Sequence, residues 1–167
     1  KEELLKDMTP YQGGGDMIKS VTFDKTIYND LPHKFEAGTP NIAGGIALGA
    51  AIDFINSIGF DFIEKHEAEL SRFATSQLRD IKGLRFIGTA KERAGLVSFV
   101  LDGIHPYDTG VILDKLGIAL RTGHHCTQPV MNFFKVPGTV RASFAVYNTK
   151  DEVVKLVEGI ERVQKMF

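Results

Sequence analysis

Residues 95–129, GLVSFVLDGIHPYDTGVILDKLGIALRTGHHCTQP, hold the pattern that decides the fold. Residues 96–101 alternate a strictly apolar set with a set that includes a serine, which predicts a β-strand with one buried face. Residues 105–117 predict a short helix, because a proline stands near its first turn and a glycine just past its end. A short strand around residues 118–121 then leads straight into the polar loop GHHC.

The flanking sequence continues the alternation of helix and strand. Residues 62–83 carry an apolar stripe at helical spacing and predict a helix that ends at the last of them, a glycine. The residues after that glycine and residues 139–148 predict strands, and Thr149 with Glu152 forms a capping box for a last helix. Alternating helices and strands predict an α/β sandwich from about residue 58 onward.

Residues 1–57 differ in composition from the rest of the chain. Three consecutive glycines, residues 13–15, predict a turn that leads into a strand. Residues 42–59 predict a helix with Asn41 as its N-cap, so apolar that we expect it to be buried on nearly all sides. We therefore predict two domains, with residues 1–57 as the end of a preceding domain and residues 58–167 as a smaller domain that carries the cysteine loop.

Charge and hydropathy argue against several classes of protein. The chain has 20 basic and 21 acidic residues and a net charge of -1, which gives no global attraction to nucleic acid or to an anionic membrane. No apolar run approaches the ~18 residues of a membrane span, and the N-terminus lacks the pattern of a signal peptide. A lone cysteine cannot form an internal disulfide, which favours a reducing compartment, and we predict a cytoplasmic protein.

Three roles are open for Cys126, the only cysteine. As metal ligands, His124, His125 and Cys126 diverge in direction and lack a CxxC or HxxxH partner. As a structural thiol, a cysteine is usually a small buried hydrophobe, but this one precedes Pro129 in a polar loop where we expect exposure. As a nucleophile, the thiol has Arg121 and two imidazoles nearby, which favour the thiolate. The residues favour a reactive loop thiol and leave its substrate open.

Three segments together carry a resemblance to a known family: KFEAGTPN at residues 34–41, RTGHHCTQP at residues 121–129 and VRASFAVYNT at residues 140–149. In this order and spacing they resemble the C-terminal part of group II (SufS/CsdA-like) cysteine desulfurases. These are pyridoxal-phosphate enzymes of the class V aminotransferase family, related to selenocysteine lyases. The resemblance extends over essentially the whole chain and implies fold type I, with the end of the large cofactor-binding domain (residues 1–57) followed by the small α+β sandwich domain (residues 58–167).

The resemblance also implies roles for residues of the second domain. Cys126 matches the nucleophile that takes sulfur from L-cysteine and leaves L-alanine and an enzyme persulfide. Arg141 matches the arginine that binds the substrate carboxylate, although without the family it is equally an exposed strand arginine. Arg121 is expected to support the cysteine loop or, alternatively, to form a structural ion pair. His124 and His125 either assist proton movement or shape the loop.

Gly38 and Thr39 match residues that donate hydrogen bonds to the cofactor phosphate of the neighbouring subunit, so the resemblance implies a homodimer. The alternative for this segment is a simple helix cap at Asn41. In the family, the lysine that attaches pyridoxal 5'-phosphate, and the aspartate and histidine that contact its ring, fall upstream of Lys1. We therefore expect the chain as given to be inactive alone.

The resemblance also bears on the partners of the parent enzyme. Tyr107 stands where relatives with a zinc-containing sulfur acceptor carry a histidine, which favours a SufE-like acceptor. The implied role is sulfur supply for iron–sulfur cluster assembly. Three alternatives stay open: a selenocysteine lyase, an inactive module that only docks a sulfur acceptor, and a small metal-binding protein that uses the GHHC loop.

Overall fold

The structure is a computed structural model that describes residues 1–90 and 93–167. The chain divides into two compact units, Lys1–Ser57 and Ile58–Phe167. In the first unit, helix α1 (Glu2–Asp7) precedes a two-stranded antiparallel sheet of β1 (Ile18–Val21) and β2 (Thr26–Tyr28). That this unit is the end of a larger cofactor-binding domain stays a prediction.

Helix α2 (Ile42–Ile58) begins where the sequence predicts. The side-chain Oδ1 of Asn41 accepts the N–H of Gly44 at 2.9 Å, which is the bond of an N-cap. The prediction that this helix is buried on nearly all sides is wrong for the described chain, because none of its residues is buried. An apolar helix offers a surface that other residues can bury, but its composition does not show which residues bury it.

The second unit is built on a four-stranded antiparallel sheet in the order β3-β4-β6-β5. Its strands are β3 (Leu84–Phe86), β4 (Leu96–Leu101), β5 (Arg121–Gly123) and β6 (Thr139–Ser143). The short strand before the GHHC loop thus lies later than predicted. Residues 118 and 120 are apolar and pack against the hydrophobic core, while only Arg121–Gly123 pairs with β6.

Four α-helices among the described residues lie wholly in the second unit: α3 (Phe60–Leu78), α4 (Pro106–Lys115), α5 (Gln128–Phe134) and α6 (Lys150–Gln164). Helix α3 ends before Gly83, so the predicted end was wrong. Gly83, at φ +75°, instead forms the turn into β3, a conformation that favours glycine. The capping box of α6 is confirmed, since Thr149 and Glu152 each bond the other's backbone N–H. Helix α5, directly after Cys126, was not predicted.

One face of this sheet forms the hydrophobic core with α3 and α6. We call it the core face, and its fully or nearly fully buried strand residues are Val97, Phe99, Leu101, Val140 and Ala142. The alternate residues of the same strands lie on the opposite side. We call that side the polar face and define it by Ser98, Arg121, Thr139 and Arg141.

Within the described residues, no single helix has both the length and the apolar composition to cross a membrane. The bent pair α2 and α3 meets that test only when its two helices are taken together.

Candidate active site

The GHHC loop leaves strand β5 and exposes its thiol. Cys126 is exposed, as predicted from its polar surroundings. His125 and Cys126 both have left-handed backbones, with φ of 52° and 57°. For a residue other than glycine this conformation costs about 1–2 kcal/mol, so the loop needs contacts that hold it.

Two sets of hydrogen bonds hold the loop. His124 binds its own loop: its carbonyl accepts Thr127 N–H at 2.9 Å and Thr127 Oγ1–H at 2.8 Å. Its ring Nδ1 accepts the backbone N–H of Cys126 at 3.1 Å. His125 instead reaches the sheet, where its Nε2 lies 3.0 Å from Thr139 Oγ1. The loop that carries the thiol is thereby attached to the polar face at one hydroxyl.

The base of the loop is a close contact between two strands. A Cβ atom on Gly138 would lie 2.8 Å from the carbonyl carbon of Gly123, closer than real Cβ atoms approach backbone. Gly123 ends β5, and its partner in β6 is Thr139. Glycine at position 138 therefore permits the approach that joins the strand before the thiol to the strand that carries Arg141.

Two arginines stand directly opposite each other on the polar face. Arg121 of β5 is the register partner of Arg141 of β6, and like charges in such a pair repel. The ion pairs found among residues 1–90 and 93–167 join Lys6 to Glu2 and His33 to Glu36, so the described chain gives no support to a structural ion pair for Arg121. Arg141 Nε is buried and has no hydrogen-bond partner within the part of the chain that the structure describes. Unbalanced positive charge and an unused donor together fit an anionic ligand such as a carboxylate.

His125 is electrostatically coupled to this pair. Its pKa is lowered from the ordinary value of 6.5, first by burial and then by the positive charge of Arg141, with smaller effects of the same sign from Arg121 and His124. Hydrogen bonding of the ring to the backbone of Thr139 opposes this lowering of the pKa. His125 Nδ1 is, like Arg141 Nε, a buried nitrogen that no described residue partners. The neutral imidazole is therefore the favoured form near neutral pH.

The structure thus brings together the GHHC loop with Cys126, Arg121 and Arg141 in the second unit. Sequence analysis missed Thr139, whose hydroxyl contacts His125 of the loop, and Ser98, whose hydroxyl donates to that of Thr139 at 2.8 Å. The signal was present: Thr139 precedes Arg141 by two positions and so shares its face of the strand. The described residues contain no group of three or more side chains that could hold a metal ion.

Gly38 and Thr39 belong to the first unit and are described there by themselves. The N–H of Gly38 donates to the carbonyl of Gly15 at 2.9 Å, so it is already used within that unit. Gly38 has φ +80°, which explains the need for glycine. Thr39 is exposed on the same turn, before Asn41 caps α2. Of the two predicted phosphate donors, the threonine is therefore the one that this conformation leaves available.

Comparison with known proteins decides the family. The model of the class V aminotransferases matches residues 1–156. The chain belongs to this family. A probable cysteine desulfurase of Streptomyces coelicolor is 48% identical over 169 residues, which cover 100% of this chain and 40% of that relative. A cysteine desulfurase of Serratia proteamaculans is 47% identical over 167 residues, with 99% and 41% covered.

Solved structures agree with the family assignment. The cysteine desulfurase CsdA of Escherichia coli superposes with a TM-score of 0.87 at 38% identity, covering 100% of this chain and 41% of that one. The apo cysteine desulfurase of Thermococcus onnurineus gives a TM-score of 0.87 at 40% identity, covering 100% and 42%. The mixed α/β fold is therefore that of the C-terminal part of these pyridoxal-phosphate enzymes, and the chain spans about 40% of the length of the relatives it matches.

Proposed function

We propose that this chain is the C-terminal part of a cysteine desulfurase, in which Cys126 accepts sulfur from L-cysteine. The observation that carries the proposal is the juxtaposition on one sheet: an exposed thiol follows the strand whose Arg121 is paired with Arg141. A thiolate attacks sulfur, and a guanidinium binds the carboxylate of an amino acid through two parallel hydrogen bonds. A site with both groups suits an amino acid that contains sulfur.

The proposed reaction is balanced without an external oxidant. The Cβ–S bond of L-cysteine breaks, a new S–S bond forms on the Sγ of Cys126, and the carbon gains a proton. The products are L-alanine and a persulfide on the enzyme. In this reaction Arg141 binds and orients the substrate carboxylate, Cys126 receives the sulfur atom, and the left-handed loop presents the thiol to solvent and substrate.

Pyridoxal 5'-phosphate is the cofactor of the proposed enzyme, and it supplies the electron-withdrawing group that weakens the bond to sulfur. The residues of this chain fit a part of that cofactor only. Thr39 is exposed next to a helix N-terminus, which suits the phosphate, while the N–H of Gly38 is used by Gly15. We propose that Thr39 contacts the phosphate of the neighbouring subunit's cofactor in a homodimer.

The remaining partners are proposals of the same kind. Tyr107 is exposed at the start of α4, and we propose a SufE-like protein as the sulfur acceptor, serving iron–sulfur cluster assembly in the cytoplasm. L-selenocysteine is a second candidate substrate, because the carboxylate clamp and the thiol serve both amino acids. The relative rates of the enzyme with the two amino acids distinguish these functions.

The deciding experiment uses the full-length enzyme that contains this chain, mixed with L-cysteine. We expect mass spectrometry to find one added sulfur atom on the peptide of Cys126 and an equal amount of L-alanine in solution. Cys126→Ser should lose both while it keeps the absorbance of the bound cofactor. Alanine formation at the wild-type rate in Cys126→Ser would refute the proposal, and Ser143→Ala on the exposed end of β6 is the matched control.

A further inference from the structure

The two histidines of the GHHC loop look like candidates for the base that removes the thiol proton of Cys126. A neutral imidazole has one lone pair, on the nitrogen that carries no proton. That lone pair cannot accept a proton from the thiol while it accepts a hydrogen bond from another donor. The hydrogen-bond pattern therefore decides whether either histidine can act as a base.

His124 has its lone pair occupied by the loop itself. Its Nδ1 accepts the backbone N–H of Cys126 at 3.1 Å. A backbone N–H can only donate, so the neutral ring must carry its proton on Nε2. The same bond contributes to the left-handed conformation of Cys126, at φ 57°.

His125 contacts the sheet through its Nε2. Ser98 Oγ–H donates to Thr139 Oγ1 at 2.8 Å, and Thr139 Oγ1 lies 3.0 Å from His125 Nε2. Thr139 carries one hydroxyl hydrogen of its own, which it can donate to His125 Nε2 while its oxygen accepts from Ser98. When Thr139 is the donor, the proton of the neutral ring resides on Nδ1, the buried nitrogen that has no partner among the described residues.

We propose that neither loop histidine is the base for Cys126, and that His124, His125 and Thr139 are positioning residues whose hydrogen bonds fix the two imidazole tautomers. Cys126 is exposed and gives its proton to water. His125 then carries its proton on the buried Nδ1 and does not act as a base. The tautomer of His124 follows from its bond to a backbone N–H, and that of His125 also requires Thr139 to be the donor. The importance of both tautomers for sulfur transfer rests on the proposed function.

Charged groups around His125 agree with a neutral donor. The positive charges of Arg141 and Arg121 lower the pKa of His125, and the neighbouring ring of His124 does so as well. Cys126 is the next residue in the loop. A second proton on His125 would add positive charge beside the two arginines, and Nε2 would then donate to Thr139 Oγ1 instead of accepting from it. The network therefore favours the neutral form with its proton on Nδ1.

The first test is nuclear magnetic resonance of the chain labelled with 15N at histidine, at neutral pH, where ring 15N shifts report the tautomer. We expect His124 with its proton on Nε2 and His125 with its proton on Nδ1. Thr139→Val should release the fixed tautomer of His125, whereas Thr139→Ser should retain it, because only the hydroxyl matters. A proton on His125 Nε2 in the wild type, or an unchanged His125 spectrum in Thr139→Val, would overturn the proposal.

The second test measures alkylation of Cys126 by iodoacetamide against pH. His124→Asn and His125→Gln keep an amide oxygen as hydrogen-bond acceptor but cannot act as a base. We expect alkylation rates within roughly threefold of the wild type across the pH range, because iodoacetamide reacts with the thiolate and neither ring sets the thiolate fraction. Loss of a histidine that holds the thiol proton would instead shift the pH dependence of alkylation. A second ionisation in the wild-type profile that disappears in either variant would identify that histidine as the base. Neither test requires turnover, so failure of the desulfurase reaction would leave their result intact.

Discussion

The two faces of the four-stranded sheet are made from alternate residues of the same strands, but they differ in burial and in charge. On the core face, Val97, Phe99 and Val140 are nearly inaccessible to solvent and pack against helices. On the polar face, Arg121 opposes Arg141 without an acid among the described residues to balance them. The first face forms the hydrophobic core, and the second carries unfavourable charge that no acid among residues 1–90 and 93–167 offsets. The comparison indicates that substitutions on the two faces should affect different measurements.

The largest effect is expected from the core face. Phe99 is 0% exposed at the centre of β4, and Phe99→Ala should lower the free energy of unfolding by about 3–5 kcal/mol because it leaves a cavity. Urea unfolding followed by circular dichroism measures this loss. Ser143→Ala, at an exposed position of β6, should stay within about 0.5 kcal/mol of the wild type. A similar loss in both variants would mean that the faces do not differ in this way.

The next effect concerns the clamp on the polar face. In the full-length enzyme, Arg141→Ala should weaken the binding of L-cysteine by about 2–5 kcal/mol, since the substrate carboxylate loses its partner. Titration of the cofactor absorbance with L-cysteine measures the change in affinity. Arg85→Ala, an exposed arginine of β3 in the same sheet, is the control and should bind normally. Equal affinity in the wild type and Arg141→Ala would remove the carboxylate clamp from the polar face.

A smaller effect should come from relieving the repulsion between the arginines. Arg121→Gln removes one of two like charges that face each other across β5 and β6, and should stabilise the free chain by about 0.2–1 kcal/mol. Thermal unfolding at low ionic strength measures it, and added salt should shrink the difference because salt screens exposed charges. Destabilisation by this change would show that Arg121 has a favourable partner after all.

The smallest effect is a pH dependence of stability through His125. Its folded pKa lies below the ordinary 6.5, so on acidification the unfolded chain binds a proton before the folded chain does. The contribution of His125 is complete above pH 6.5 and should be lost as the pH falls through the lower folded pKa. Unfolding of the wild type and of His125→Gln between pH 5 and 8 measures the difference. Wild-type stability that rises relative to the variant on acidification would contradict the lowered pKa.

Much of this arrangement was predictable from local sequence. The alternation in residues 96–101 predicted β4, and Thr149 with Glu152 predicted the start of α6, because both depend on neighbours in the chain. The exposure of α2 was not predictable, since apolar composition does not reveal which surface covers a helix. The attachment of His125 to Thr139 and Ser98 was also hidden, because it depends on strand register between distant segments.

The polar loop predicted Cys126 as a reactive thiol, and the resemblance added the expected roles of Cys126 and Arg141 but not their spatial relation. Strand pairing supplies that relation, since β5 runs into the thiol loop and β6 carries the arginine. The pairing of Arg121 with Arg141 could be seen only once the register was known. Neither arginine differs from an ordinary surface residue in composition or local pattern.

The contact between Gly138 and Gly123 fixes the distance between two strands of the candidate site. Because no side chain fits between these two residues, the strand that ends at the thiol loop and the strand that leads to Arg141 stay at backbone contact distance. A methyl group at position 138 would act as a wedge that separates β5 and its thiol loop from β6, without altering Cys126 or Arg141. The relative position of these two side chains therefore depends on the absence of a side chain at position 138.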